Sequence, residues 1–260
     1  MSRAFLGTKL FKDYGEWVYG MGEGARLKII GTSHIARESV SRVEVVLRKE
    51  LPQVVAVELD RKRLFALVHG DRSGPSVRDI KRIGLKGWLF ALVGGWVERK
   101  LGAKVGVFPG EEMLRAVSVG REVGAKVALI DQDIEVTLRR FSQGLSWREK
   151  GRFVQDVIGG FFGKGLTIDV SKVPPKELIA KLLEEVKGRY PNVYRVLVVE
   201  RNEFMAHRLA ELLDVHPDQL IVAVVGAGHE GEIARLVKKY LKAQEDKEKK
   251  KRFDESSKLS

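Results

Sequence analysis

Two stretches near opposite ends of the chain repeat one local pattern, and that repetition constrains the fold more than any other feature. LKIIGTSHIARESV (27–40) reads as an aliphatic strand, a glycine and a helix start, with His34 at the junction. IVAVVGAGHEGEIARLV (221–237) repeats the order, with Gly226 closing the strand and His229 opening the helix. Continuous aliphatic runs of this kind suit strands buried on both faces. Gly31 lets the chain leave its strand without a Cβ clash, and Thr32 or Ser33 can cap the helix that follows. The chain has 5 histidines, and two of them occupy this strand-Gly-x-x-His-helix context.

Two further aliphatic runs, VVAVELD (54–60) and KVALID (126–131), read as strands. Helical patterns separate the runs. Val40, Val43, Val46 and Leu47 are spaced for a helix after the first strand. Glu111, Glu112 and Met113 start a helix ending near Gly124, and Pro191 opens a long one reaching about Leu213. Ile233, Leu236, Val237, Tyr240 and Leu241 pattern the closing helix. This alternation predicts an α/β fold: a mainly parallel sheet of four or more strands flanked by helices, with a helical insert at about 134–213 between the third and fourth strands. One domain over 1–243 is expected, followed by a disordered charged tail, 244–260. Residues 1–24, with glycines at 15, 20, 22 and 24, predict turns or a short hairpin.

Composition acts mainly by exclusion. Without cysteine there is neither a disulfide framework nor thiolate chemistry. The longest apolar stretch, IGLKGWLFALVGGWV (83–97), contains Lys86 and is too short to span a bilayer, so it reads as a buried helix. The start of the chain lacks the apolar core of a signal peptide, and a cytoplasmic protein without a membrane span is expected. Nearly all of the net charge of +12 belongs to the folded body, because 244–260 holds six Lys/Arg against five Asp/Glu and contributes only +1. Arg61, Lys62 and Arg63 form the tightest basic cluster before the tail, with no aromatic or helix-turn-helix pattern beside it, which argues against a nucleic-acid partner. Abundant charge without cysteine is compatible with a thermophile.

Open parallel sheets bind ligands beyond the carboxyl ends of their strands. There the four strands place His34, Glu58, Asp131 with Asp133, and His229. Two histidines and a carboxylate form the ligand set of many catalytic transition-metal sites. Plainer readings stand beside this one. A histidine opening a helix can simply satisfy a turn, and Glu58 can pair with Arg61 or Arg63. Asp133 suits the N-cap of a helix beginning at Ile134, and Glu111 complements a helix dipole. Glu200 falls on the apolar face defined by Val193, Val196, Leu197 and Phe204, so it is expected to be buried against Arg139, Arg140 or Arg201.

The segments GTSHIARESV, VVAVELDRKRL, PGEEMLRAVSVGREVGAKVALIDQDIEVTLRR, VVERNEFMAHRL and VVGAGHEGEI, in that order over about 27–240, resemble the TraB/PrgY family of pheromone-shutdown proteins, which is related to the Tiki proteins. The resemblance implies a mixed α/β fold in which two Gly-x-x-His motifs and a glutamate form a metal site. The Tiki branch is regarded as manganese- or cobalt-dependent peptidases. Carried to this chain, the resemblance points to His34, His229 and Glu58 as ligands of Mn or Co rather than Zn. Arg139, Arg140, Glu200 and Arg201 match further family positions. Gln132 stands where the family usually has arginine, and Asn202 where it usually has aspartate. Many prokaryotic relatives carry C-terminal membrane spans that this chain lacks, so pheromone shutdown at a membrane is not expected.

The leading expectation is therefore a metal-dependent peptidase or hydrolase. Glu58 serves the metal, Glu200 or Glu111 acts as general base, and Arg139, Arg140 or Arg201 steadies a developing oxyanion. The alternative is a non-catalytic protein that holds a peptide or small-molecule ligand in the same cleft. Haem binding through the histidines comes third. A homodimer is compatible with the sequence.

Overall fold

The four aliphatic runs become four parallel strands: β2 (Ala25–Thr32), β3 (Val54–Val57), β4 (Lys126–Leu129) and β5 (Ile221–Gly226). The computed structural model describes residues 17–20, 25–32, 37–70, 76–84, 88, 110–144, 146, 148–149, 152, 155–156 and 176–257. A short strand, β1 (Trp17–Gly20), folds back antiparallel on β2, with Trp17 opposite Ile29 and Tyr19 opposite Leu27. This is the hairpin that the glycines near the start predict. The sheet order is β1-β2-β5-β3-β4. The last strand in sequence therefore enters the middle, with Leu27, Ile221 and Val54 level with one another and Ile30, Val224 and Val57 level further along.

Helices cover both faces, as continuous aliphatic strands require. Leu27, Ile29, Ala56, Ile221, Ala223 and Val225 pack on α7 (Glu200–Val215) and α8 (Glu230–Ser257) through Met205, Leu209, Leu213, Ile233 and Val237. The alternate strand residues, Ile30, Val55, Val57, Val222 and Val224, pack on α1 (Arg37–Glu50) and α3 (Glu111–Glu122) through Val43, Leu47, Met113, Ala116 and Val119. Helix α2 (Arg61–Val68) follows β3, and its N-cap is Asp60, whose carboxylate accepts from the Lys62 and Arg63 N–H groups. Between α3 and β4 the chain turns at Gly124, where φ is +80°, a conformation that glycine adopts without a Cβ penalty.

The insert between β4 and β5 is helical among the described residues: α4 (Ile134–Gly144), α5 (Lys176–Arg189), α6 (Pro191–Tyr194) and α7. Asp133 caps α4 as expected, its carboxylate accepting the Glu135 N–H at 2.8 Å. The long helix opened by Pro191 is interrupted by one π-helical segment, Arg195–Val199. The wider turn changes the helix phase. Before it Val193 is buried and within it Val196; after it the buried set is Asn202, Met205, Ala206, Leu209, Ala210 and Leu213. The apolar face read across this point therefore does not continue. Phe204 is 40% exposed, and Glu200 is half-buried rather than buried.

The charged run from 244 onward, expected to be disordered, continues α8 as helix to Ser257. Most of the apolar stretch 83–97, the glycine breaks at 159–165 and His34 lie outside the described residues. Among the described residues no helix is long and apolar enough to cross a membrane.

One buried carboxylate ties the insert together. Glu149 accepts from the Ser146 N–H at 3.0 Å and hydroxyl at 2.8 Å, and from the Asn192 N–H at 2.9 Å and side-chain amide at 2.7 Å. Burial works against its charge, but the hydrogen bonds from Asn192 and Ser146 outweigh it and hold the carboxyl below its ordinary range. A depressed carboxyl contributes stability above its unfolded value, about 4.3, and loses it as pH falls through the folded value.

Two outcomes follow. Glu149→Gln should cost about 1–2 kcal/mol in urea unfolding at neutral pH, and the gap to wild type should close on acidification below the ordinary glutamate range. Leu209→Ala should cost about 2–5 kcal/mol by cavity formation, whereas Phe204→Ala should stay within about 0.5 kcal/mol. Equal losses at the two positions would contradict the phase change at the π segment.

Candidate functional site at the strand ends

Because the four strands are parallel and in register, their carboxyl ends form one ledge, and the residues just past them are neighbours. Val57 is followed by Glu58, whose N–H donates to the Val224 carbonyl at 3.0 Å. Pairing also continues past β4, with the Asp131 N–H on the Leu59 carbonyl at 3.3 Å. At the other side of β5, Thr32 lies opposite Gly226. The Thr32 hydroxyl donates to the Val225 carbonyl at 3.1 Å, and the Ala227 N–H donates to the Thr32 carbonyl at 2.8 Å. The strands that carry the two motif glycines, Gly31 and Gly226, thus end side by side.

Gly31 sits within β2, and its glycine character has a different cause from the one expected. A Cβ there would come within 2.6 Å of the Glu230 carboxylate and 3.1 Å of the Ala227 Cα. The first motif's glycine is shaped by the second motif's turn and helix start, not by the exit from its own strand.

The charged centre is built on Arg201. Its Nε donates to Asp131 Oδ1 at 3.1 Å and its Nη2 to Asp131 Oδ2 at 2.7 Å, a two-pronged grip. The same Nη2 donates to Glu58 Oε1. Its Nη1 donates to the Leu197 carbonyl of the π segment at 3.4 Å and lies 3.5 Å from His229 Nε2. Glu58 and Asp131 side chains are 1% and 2% exposed, so neither can rely on water for its charge. Burial opposes the charge of Arg201, but the two carboxylates outweigh it and hold the guanidinium protonated above its ordinary range. Arg63 adds a second cation, its Nη1 3.0 Å from Asp131 Oδ2. The other Glu58 oxygen accepts the Gly226 N–H at 2.6 Å, which fastens the carboxylate to the end of β5.

The tautomer of His229 follows from its neighbours. Nδ1 lies 2.6 Å from Asn202 Oδ1, an oxygen that only accepts, so Nδ1 carries the proton. Arg201 Nη1, which only donates, faces Nε2, so Nε2 holds the lone pair. That nitrogen lies 3.6 Å from Glu58 Oε1.

The structure sorts the expected residues. Glu58, His229 and Arg201 meet in one cluster. Glu58 pairs with Arg201, and Arg63 goes to Asp131. Glu200 turns to Arg140 at 2.9 Å and Arg195 at 4.0 Å. Arg139 and Arg140 are exposed, and so is Glu111 at the first turn of α3. Of the three arginines considered for oxyanion contact, Arg201 alone is held in the cluster. Asp131, expected at a strand end, and Asn202, noted in the sequence only as a departure from the resembled family, take parts not assigned to them there: Asp131 grips Arg201, and Asn202 holds His229. The place of Asn202 becomes visible only once the helix phase is known. Among the described residues no group of three or more His, Asp or Glu side chains is disposed to hold a metal ion.

Residues 97–245 match the TraB/PrgY/gumN family. The chain belongs to this family. Over 218 residues it is 34% identical to an uncharacterized protein of Methanocaldococcus jannaschii, covering 81% of this chain and 53% of that one. TraB domain-containing proteins of Mus musculus and Homo sapiens are 26% identical over 239 and 237 residues, covering 80% of this chain and 61% of each relative. The chain thus spans between about half and three-fifths of the length of the curated relatives it matches.

Arg201→Met should destabilise the fold by about 3–5 kcal/mol, because it strands two buried carboxylates. Glu200→Ala should cost less than about 1 kcal/mol, because its arginine partners are exposed. Urea unfolding of the two variants beside wild type measures both; similar losses would show that the charged centre is misassigned.

Proposed function

We propose that the chain is a divalent-metal-dependent hydrolase acting on peptide-like substrates, with His229 and Glu58 as two metal ligands and His34 as the third. One observation carries this reading. Nδ1 of His229 is occupied by Asn202, so the Nε2 lone pair, which faces Arg201 Nη1, lies 3.6 Å from a buried carboxylate oxygen. Metal-binding histidines are regularly fixed in this way through their other nitrogen. A neutral imidazole and a carboxylate suit Mn²⁺ or Co²⁺. The metal, when bound, supplies a Lewis acid that polarises a carbonyl and lowers the pKa of water.

The protein's own groups have separate tasks in this reading. The Gly226 N–H fixes one oxygen of Glu58, and the other, which accepts from Arg201 Nη2, faces His229. Asn202 sets the tautomer and orientation of the imidazole. Arg201, anchored on Asp131, holds a permanent positive charge beside His229 Nε2, where it can steady negative charge developing on a substrate oxygen.

A second reading has its own support. Arg201 Nη2 donates to Glu58 Oε1, the oxygen that faces His229. Glu58 and Asp131 are then balanced by Arg201 and Arg63 without any ion, as suits a site that binds a peptide or small molecule and does not turn it over.

Calorimetric titration with Mn²⁺ and Co²⁺ separates the two. Wild type should bind one ion at micromolar concentration. His229→Ala and Glu58→Gln should each weaken binding by about 10–100-fold or more, with circular dichroism unchanged for His229→Ala. A wild-type chain that takes up neither ion overturns the metal reading in favour of ligand binding alone.

A further inference from the structure

The two side chains read above as metal ligands already share a cation of the protein's own. Arg201 Nη2 donates to Glu58 Oε1, and Arg201 Nη1 stands 3.5 Å from His229 Nε2. These are the same two ligand atoms, 3.6 Å apart, that a divalent ion would take. Their chemistry suits such an ion: a carboxylate oxygen, and an imidazole nitrogen whose partner in the ring is fixed by Asn202. His229 Nε2 has a single lone pair, so it serves either the guanidinium or the ion.

Charge sharpens the exclusion. The side chains of Glu58 and Asp131 are 1% and 2% exposed, and that of Arg201 is 15% exposed. Arg201 and Arg63 together neutralise the two carboxylates. A divalent ion entering beside an unmoved guanidinium would leave an excess of positive charge where water screens little. The anchorage of Arg201 lets it yield. Its Nε holds Asp131 Oδ1 at 3.1 Å and its Nη2 holds Oδ2 at 2.7 Å, so the guanidinium can keep Asp131 while giving up Glu58 and His229. Its remaining tie is the Leu197 carbonyl of the π segment at 3.4 Å, a long bond.

We propose that Arg201 and a divalent cation are alternative occupants of the place between Glu58 and His229, with Arg201 a built-in competitor that sets the ion's affinity. The inference rests on the hydrolase reading above for an ion at these two atoms. An Arg201 that has left Glu58 but kept Asp131 is the group which that reading turns toward a substrate oxygen, so the exchange that admits the ion also frees the guanidinium for its task.

Co²⁺ alone is the probe, titrated calorimetrically into the full chain and followed in thermal melts. Arg201→Met leaves two carboxylates facing Arg63 alone. It should bind Co²⁺ at least about tenfold tighter than wild type, the low end of the coupling between close charges. Its Tm should also rise further than that of wild type at the same Co²⁺ concentration, because stabilisation follows affinity. Arg201→Lys keeps a cation and puts the fold at less risk, but one ammonium cannot grip Asp131 through two nitrogens and hold Glu58 as well. It should bind Co²⁺ tighter than wild type and less tightly than Arg201→Met, and it decides alone if Arg201→Met does not fold. Adding Glu58→Gln to either variant should abolish the gain.

Co²⁺ affinity equal to or weaker than that of wild type in the folded variants would overturn the exchange, leave the metal reading standing and make Arg201 a positioning residue. A gain that survives Glu58→Gln would overturn it too, since the ion is then held elsewhere. Uptake by the Arg201 variants and none by wild type would support the exchange while removing the metal reading for the natural chain. No uptake by any of them would overturn both.

Discussion

The strand-end site depends on a charge problem and its solution. Parallel strands in register bring Glu58 and Asp131 to neighbouring positions on one ledge, both almost wholly shielded from water. Two carboxylates so placed repel each other, and each costs several kcal/mol in lost hydration. Arg201 resolves this by bonding to both. It comes from the helical insert, so the attraction that neutralises the sheet's end also fixes where α7 lies. The π segment is part of the same solution, since its Leu197 carbonyl accepts the guanidinium's remaining nitrogen. Positions of His229 and Asn202 then follow from where Arg201 and α7 are held.

Much of this was legible in the sequence. Aliphatic runs bounded by glycine or acidic residues gave four parallel strands, and the periodicity of the closing residues gave α8. Placing β5 in the middle of the sheet was not legible, because register and order arise from long-range pairing that no local pattern encodes. The pairing of Glu200 with Arg140 was among those expected, but its depth was misread for a specific reason. A 3.6-residue period extrapolated from Val193 runs through a π turn that breaks it, so Phe204 turns outward, Glu200 is only half-buried and Asn202 turns in. Arg201 was visible as a candidate but not as the centre, since its partners lie 143 and 70 positions away. The charged run after Lys242 lacks apolar anchors, which reads as disorder, yet it propagates as helix from the packed start of α8 because extending a helix is far easier than starting one.

The imidazole of His229 is held by a neutral amide on one side and a cation on the other. A carboxylate in place of Asn202 would push electron density toward Nε2 and favour the doubly protonated ring; an amide orients without doing so. Gln132 donates from its side chain to the Thr137 hydroxyl at 2.7 Å, a second neutral link beside Asp131.

The close fit of Gly31 against Glu230 and Ala227 bears on how the chain can vary. The second of the two similar motifs fills the space beside the first. The space that a side chain at position 31 would need is already filled by a carboxylate nearly two hundred positions away along the chain. Substitutions at the two sites are then not independent: shortening Glu230 opens room at Gly31, and enlarging Gly31 displaces Glu230. Effects of changes at Gly31 will depend on the residue present at position 230, so the two motifs, alike in sequence, do not vary independently.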